Sequence, residues 1–238
     1  MSRLNSALRL FEDANGAEDI STARCRVLIG QLLASISKNQ QERLQWCGHG
    51  LAIIEQTHGA DTFESVDALE QLGTAYMHLG QHNIALGFFE RQLRAAEFSL
   101  ATSECTQHMY PAVYEALGFV HQRATDRTRH IRAKVGSALA NIGNLHSASG
   151  KYSDALEYQL RALAIADEAS GKVGRDSAGI SANVGFTYSN QGLVAEAIPY
   201  FEQAVAAYKF TYGKDHGMTR EYQGVLDEMR QRQRLLQT

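Results

Sequence analysis

His78 and His82 stand four residues apart, a spacing that on a continuous helix would aim two imidazoles at one metal ion. Gly80 lies between them and is placed to stop the helix, so two turn-exposed histidines are expected instead. Cys105-x-x-His108 offers a thiolate and an imidazole but no second ligand pair, and zinc is not expected there. Gly150-Lys151 and Gly171-Lys172 imitate the end of a phosphate-cradling loop. Neither has the rest of that motif, and each follows a helical pattern where the loop needs a strand. No Gly-x-Ser-x-Gly elbow occurs. Glu64, Asp154, Asp176 and Glu196 fall near predicted helix starts, where carboxylates meet unpaired N–H groups and need no catalytic role. The expectation is a non-enzyme without cofactor or metal.

The densest positive charge is the run Arg123–Lys134, in which Arg123, Arg127, Arg129, Arg132 and Lys134 face one acid, Asp126. It reads as a docking patch for an acidic partner, such as a phosphorylated or Glu-rich segment. The competing reading is a solvated helix end. Over the whole chain 26 acids outweigh 23 lysines and arginines, which argues against a nucleic-acid partner. No apolar run is long enough to span a bilayer. Cys25, Cys47 and Cys105 are odd in number and widely spaced, which points to free thiols in a reducing compartment.

The elements that position these residues repeat. Glu42–Gly59, Ile84–Ala101, Asp154–Gly171 and Glu196–Gly213 superimpose as eighteen-residue helical segments. Their register residues Arg43, Ala85, Ala155 and Ala197 are 42, 70 and 42 positions apart. A period in this range marks stacked helical units. Upstream lie Leu69–Leu79, Leu139–Ser149 and Ser181–Gln191, patterned at helical spacing and stopped by Gly80, Gly150 and Gly192. Ser153-Asp154 falls where an N-cap belongs. Each unit therefore reads helix A, tight turn, helix B. Gly73, Gly143 and Gly185 inside helix A each precede the helix-B alanine by twelve residues, which predicts close helix–helix approach at that level. Pro199 predicts a kink or a late start in the last helix B. Val113, Leu117 and Val120 predict a separate helix within the extra 28 residues of the long interval.

This pattern resembles the tetratricopeptide repeat, whose signature is a small residue and an aromatic in helix A, then an alanine and an aromatic in helix B. Gly73, Tyr76, Ala85 and Phe89 match, as do Gly185, Tyr188, Ala197 and Phe201. Gly143, His146, Ala155 and Gln159 put polar residues at both aromatic places. The first unit is degenerate, with Arg43 for alanine and one extra residue in its turn near Lys38-Asn39. The family's helix-A Trp and closing Pro are absent. The 42-residue period, Ser137–Gly143 and Gly213-Lys214-Asp215-His216 resemble the long-helix subclass of kinesin light chains. The resemblance covers residues 17–213 with one interruption.

It implies an all-α, right-handed superhelical solenoid of helical hairpins forming a single domain, 1–238. The segments are an N-terminal helix (1–16), repeat 1 (17–59), repeat 2 (60–101), a helical insertion (102–132), repeat 3 (133–171), repeat 4 (172–213) and a capping helix (214–238). Residues 1–16 are amphipathic through Leu4, Leu8 and Phe11 and read as a helix capping the first repeat. The alternative reading is a mitochondrial presequence. By resemblance, helix A lines a concave groove, and the residue two before its glycine points inward: Gln71, Asn141 and Asn183. Their amides can both donate to and accept from an extended peptide backbone. Thr74, His78, Asn144, Ser147, Phe186 and Asn190 share that face. The function implied is a cytoplasmic protein-interaction module that binds a peptide or helix of a partner protein, with no nucleic acid and no membrane. Two alternatives stand beside it: a structural subunit of a cytoskeletal (microtubule or axonemal) or organellar assembly, and a regulator that clamps a catalytic partner.

Overall fold

The computed structural model describes residues 2–36, 39–109, 119–172 and 174–236; side chains at 2–5, 7, 35–36, 106–109, 119–125 and 170 lie outside that description. Among the described residues every regular element is helical. Two proline residues in 238 leave little to interrupt long helices. The order is α1 (Ser2–Asn15), α2 (Ile20–Ile36), α3 (Gln40–His58), a single 3-10 turn at Phe63–Ser65, α4 (Val66–His78), α5 (His82–Met109), α6 (Phe119–Ala148), α7 (Tyr152–Ser170), α8 (Arg175–Asn190), α9 (Val194–Tyr212) and α10 (Gly217–Leu236). The chain forms two compact units, residues 1–138 and 139–238, and the division falls within α6.

In residues 1–138, α2 packs on α3, α3 on α4 and α4 on α5. Val27, Cys47, Leu51, Ile54, Leu69 and Leu72 share one core. α1 is docked rather than free: Leu8 packs with Cys25, Ile29 and Leu33, and Arg26 pairs with Glu12 at 2.8 Å. In residues 139–238, α7 packs on α8, α8 on α9 and α9 on α10. Phe201, Val205, Leu226 and Met229 form the core that joins the last two helices. Burying a Phe or Leu side chain in this way stabilises by about 1.5–3 kcal/mol each.

The A-to-B turns are set by glycine. Gly80, Gly150 and Gly192 have φ of 73°, 74° and 84°, where a Cβ would be strained. Helix B then starts earlier than its capping residues suggest. α7 begins at Tyr152 after Lys151, so Ser153-Asp154 is not the N-cap, and Asp154 lies in the first turn. α9 begins at Val194, five residues before Pro199, so the late start does not occur. Pro199 is exposed within that helix.

The helix-A glycines do mark close approach, but the neighbour is a side chain four residues beyond the alanine. A Cβ at Gly73 would fall 2.6 Å from the Phe89 ring, and at Gly185 3.0 Å from Phe201. At Gly143 it would meet Gln159 Cγ at 2.6 Å and the Ala155 carbonyl at 3.0 Å. In the first unit, Gly30 faces Cys47 Sγ in the same way. Ala85, Ala155 and Ala197 are all fully buried at their crossings.

The described part of the interval lengthens two existing helices. α5 runs 28 residues and α6 runs 30, against 19 for α3, α7 and α9. α5 and α6 touch antiparallel through Gln92 Nε2, which donates to Ser137 Oγ at 3.1 Å, and through the Ser103 and Thr128 hydroxyls at 2.7 Å. Of the segment read as a separate helix, 111–118 lies outside the described residues, and Phe119 and Val120 begin α6.

Candidate functional site

On α4, Gln71 is already engaged. Arg43 replaces the crossing alanine of α3, is only 3% exposed, and donates from NH2 to Gln71 Oε1 at 2.6 Å. Burial pushes the Arg43 guanidinium below its ordinary range, with Cys47 and Glu70 opposing. Its Nε has no partner among the described residues. Thr74 turns its hydroxyl back to the Glu70 carbonyl at 2.7 Å, as a helical threonine commonly does. His78 closes the last turn of α4 and His82 opens α5, with the Gly80 turn between them.

The basic run finds partners inside residues 1–138. Lys134 Nζ lies 2.6 Å from Asp67 and 2.9 Å from Glu70. Glu70 also accepts from the Ser137 hydroxyl at 3.0 Å. Burial disfavours the Lys134 ammonium, yet Glu70 and Asp67 outweigh it and hold its pKa above the ordinary lysine range. Arg132 pairs with Glu104 at 2.5 Å and Arg129 with Asp126 at 2.8 Å. The Arg127 guanidinium sits 5.7 Å above the Phe63 ring, within cation–π range. The Arg123 side chain lies outside the described residues.

In residues 139–238 the A-face residues divide into committed and uncommitted groups. Gln159, at the place of Phe89 and Phe201, is 1% exposed and donates from Nε2 to Asn144 Oδ1 at 3.0 Å. The Thr187 hydroxyl lies 2.9 Å from both Gln159 Oε1 and the Asn183 carbonyl. It has one proton to give, so the Ser147 hydroxyl, 3.1 Å away, is the donor of that pair. Asn144 and Ser147 are thus tied into the interior. The Asn141 and Asn183 amides are half-buried and have no side-chain hydrogen bond among the described residues. Asn190 ends α8 and is exposed. Phe186 is 40% exposed, with its ring edge-on to Phe201 at 5.0 Å.

A ring pair recurs that the sequence reading did not single out. Tyr76 stacks on Phe88 at 5.4 Å, His146 on Tyr158 at 5.5 Å and Tyr188 on Tyr200 at 5.5 Å. His146 therefore fills an aromatic place as a ring, even though it is polar. The signal was available, because Phe88, Tyr158 and Tyr200 each stand three residues after the crossing alanine. Nothing local marked Arg43–Gln71 or Gln159–Thr187, whose members are 28 positions apart.

The tetratricopeptide-repeat family model matches residues 135–177 and 177–217. Among curated proteins no sequence matches. Solved structures with the same fold include a putative kinesin light chain of Podosopora anserina with nearly identical TPR-like repeats. It is 17% identical with a TM-score of 0.64, over 90% of this chain and 87% of that one. A second crystal structure of that protein gives 17% and 0.64 over 89% and 86%. BtubC (BKLC) from P. vanneervenii is 13% identical with a TM-score of 0.65, over 99% of this chain and 89% of its own. The fold is the all-α helical repeat of these kinesin light chain-like proteins. Tetratricopeptide repeats are protein-interaction modules. Among the described residues no helix is long and apolar enough to cross a membrane.

Proposed function

We propose that this chain is a non-enzymatic interaction module whose helix-A face within residues 139–238 holds an extended peptide of a partner protein. One observation carries the reading. Asn141 and Asn183 stand one 42-residue period apart, each two residues before a helix-A glycine, and both keep half-buried amides without an internal side-chain partner. An uncommitted amide can donate to a peptide carbonyl and accept from a peptide N–H. Phe186 adds a ring that is 40% exposed, set edge-to-face with Phe201 and beside Tyr222. Asn144 and Ser147 support the face from behind, since their polar atoms are engaged with Gln159 and Thr187. Asn141→Ala with Asn183→Ala tests the reading against the partner's isolated binding segment in calorimetry. Each lost hydrogen bond should cost about 0.5–1.5 kcal/mol of binding, with circular dichroism and melting unchanged. Undiminished affinity would move the site elsewhere.

A second reading is a cytoplasmic, cytoskeleton-associated subunit held permanently in an assembly. It is favoured by the names of the similar structures, kinesin light chain and BtubC. A subunit of that kind should self-associate or precipitate when expressed alone, whereas an adaptor should stay monodisperse in analytical ultracentrifugation.

A further inference from the structure

The four cations of the Arg123–Lys134 run whose side chains are described are all held within the chain. A second cationic cluster is not. α9 and α10 flank a cleft of about 410 Å3, which is large enough for a small ligand group and its neighbours. Its lining includes Val205 and Lys209 of α9, Lys214 of the connecting loop, and Arg220, Gln223 and Asp227 of α10. Lys209, Lys214 and Arg220 are exposed, and no carboxylate lies within 4.0 Å of any of them among the described residues, including their sequence neighbours Asp215 and Glu221. Asp227, the cleft's one acid, is turned to other work. It accepts from Gln223 Nε2 at 3.0 Å and lies 3.9 Å from Arg230.

Three positive charges and one negative leave the cleft with a net charge near +2. That balance fits a phosphoryl group, which carries about −1.5 to −2 near pH 7, better than a single carboxylate. The guanidinium of Arg220 can meet two oxygens side by side, and the two ammonium groups can take the rest. Left empty, like charges on facing helices repel, and an anion relieves that repulsion. We infer that the α9–α10 cleft binds a phosphomonoester dianion through Lys209, Lys214 and Arg220. The site uses none of the helix-A face residues, so it stands or falls apart from the peptide site above.

The full chain is titrated with inorganic phosphate at about pH 7, with ionic strength held constant by sodium chloride, and followed by amide NMR. Saturable shifts confined to α9, α10 and their loop are expected. Lys209→Gln with Lys214→Gln and Arg220→Gln should raise the midpoint at least about tenfold. The equally exposed trio Lys151→Gln, Lys172→Gln and Arg175→Gln should leave it unchanged. Shifts that do not saturate, or that weaken equally in both trios, overturn the site. Should the first trio fail to fold by circular dichroism, Lys214→Gln and Arg220→Gln singly give the same readout. A phosphoserine peptide and adenosine monophosphate then separate the sources, a modified protein segment or a free metabolite. A glutamate peptide binding as tightly as its phosphoserine form would overturn the dianion assignment.

Discussion

Thr187 Oγ1 lies 2.9 Å from Gln159 Oε1, and both residues are 1% exposed. Gln159 occupies the place where the other units put Phe89 and Phe201, so one repeat carries a polar core layer in an apolar series. Such a layer is stable only while each donor and acceptor stays matched.

Gln159→Ala should therefore destabilise more than its lost methylenes suggest. It takes from Thr187 one of its two acceptors and from the half-buried Asn144 its side-chain donor, and a polar group left unpaired in the interior costs about 1–3 kcal/mol. Gln159→Leu with Thr187→Val should recover part of the loss by removing both halves of the mismatch. Urea denaturation midpoints of the three proteins check the order.

Glycine-to-alanine changes should have opposite signs at different places. Alanine favours a helix by roughly 1 kcal/mol over glycine. At Gly143 the new Cβ would lie 3.0 Å from a backbone carbonyl that cannot swing away, and overpacking costs about 1–3 kcal/mol. At Gly179 the nearest atom is the Tyr208 hydroxyl, 3.8 Å away. Gly143→Ala should lower the melting temperature and Gly179→Ala should raise it in differential scanning calorimetry.

Lys134 should matter to stability and Arg129 should not. Lys134 is 21% exposed and bridges Asp67 and Glu70, so Lys134→Ala should cost about 1–3 kcal/mol by leaving the 20% exposed Glu70 carboxylate without its cation. Arg129 is 63% exposed beside Asp126, and surface pairs contribute about 0–1 kcal/mol. The raised Lys134 pKa adds a pH dependence. The contribution is fully present below the ordinary lysine value of 10.5 and is lost as pH rises through the folded value. Melting of wild type and Lys134→Ala should converge at strongly alkaline pH.

The thiols should react in two classes. Cys25 and Cys47 are buried and Cys105 is exposed. Burial pushes the Cys47 thiol up to about 11, against the opposing pull of Arg43. Native alkylation should label Cys105 first, and unfolding without reductant should give three adducts by intact mass. A deficit equal to one disulfide would contradict the reducing-compartment reading. The sign for stability is also fixed. An unfolded thiol ionises near 9.0 while the folded one waits until about 11, so stability falls as pH rises across that window.

The repeat was legible in the sequence. Two-helix units, their glycine turns at Gly80, Gly150 and Gly192, and the crossing alanines follow from local periodicity and from the conformational needs of single residues. Those properties are properties of a short stretch of chain. Helix starts were less legible. Ser153 and Asp154 are good capping residues, yet α7 starts before them at Tyr152, because packing of an amphipathic face outweighs about 1 kcal/mol of capping. Within the interval, the described residues on either side of 110–118 extend α5 and α6, which local periodicity alone does not distinguish from separate elements.

Which polar residues remain available was decided only by tertiary structure. The sequence placed Gln71, Asn141 and Asn183 in one register, but Arg43 reaches Gln71 from 28 positions away and leaves the other two uncommitted. It concentrated charge at Arg123–Lys134, where Asp67 and Glu70 neutralise Lys134 and Glu104 neutralises Arg132 from distant parts of the chain. It spread Lys209, Lys214 and Arg220 thinly, yet they share one cleft. Electrostatic and hydrogen-bond satisfaction depends on distances of a few ångströms in space. Sequence spacing fixes those distances only within a helix, and everything between helices waits on how they pack.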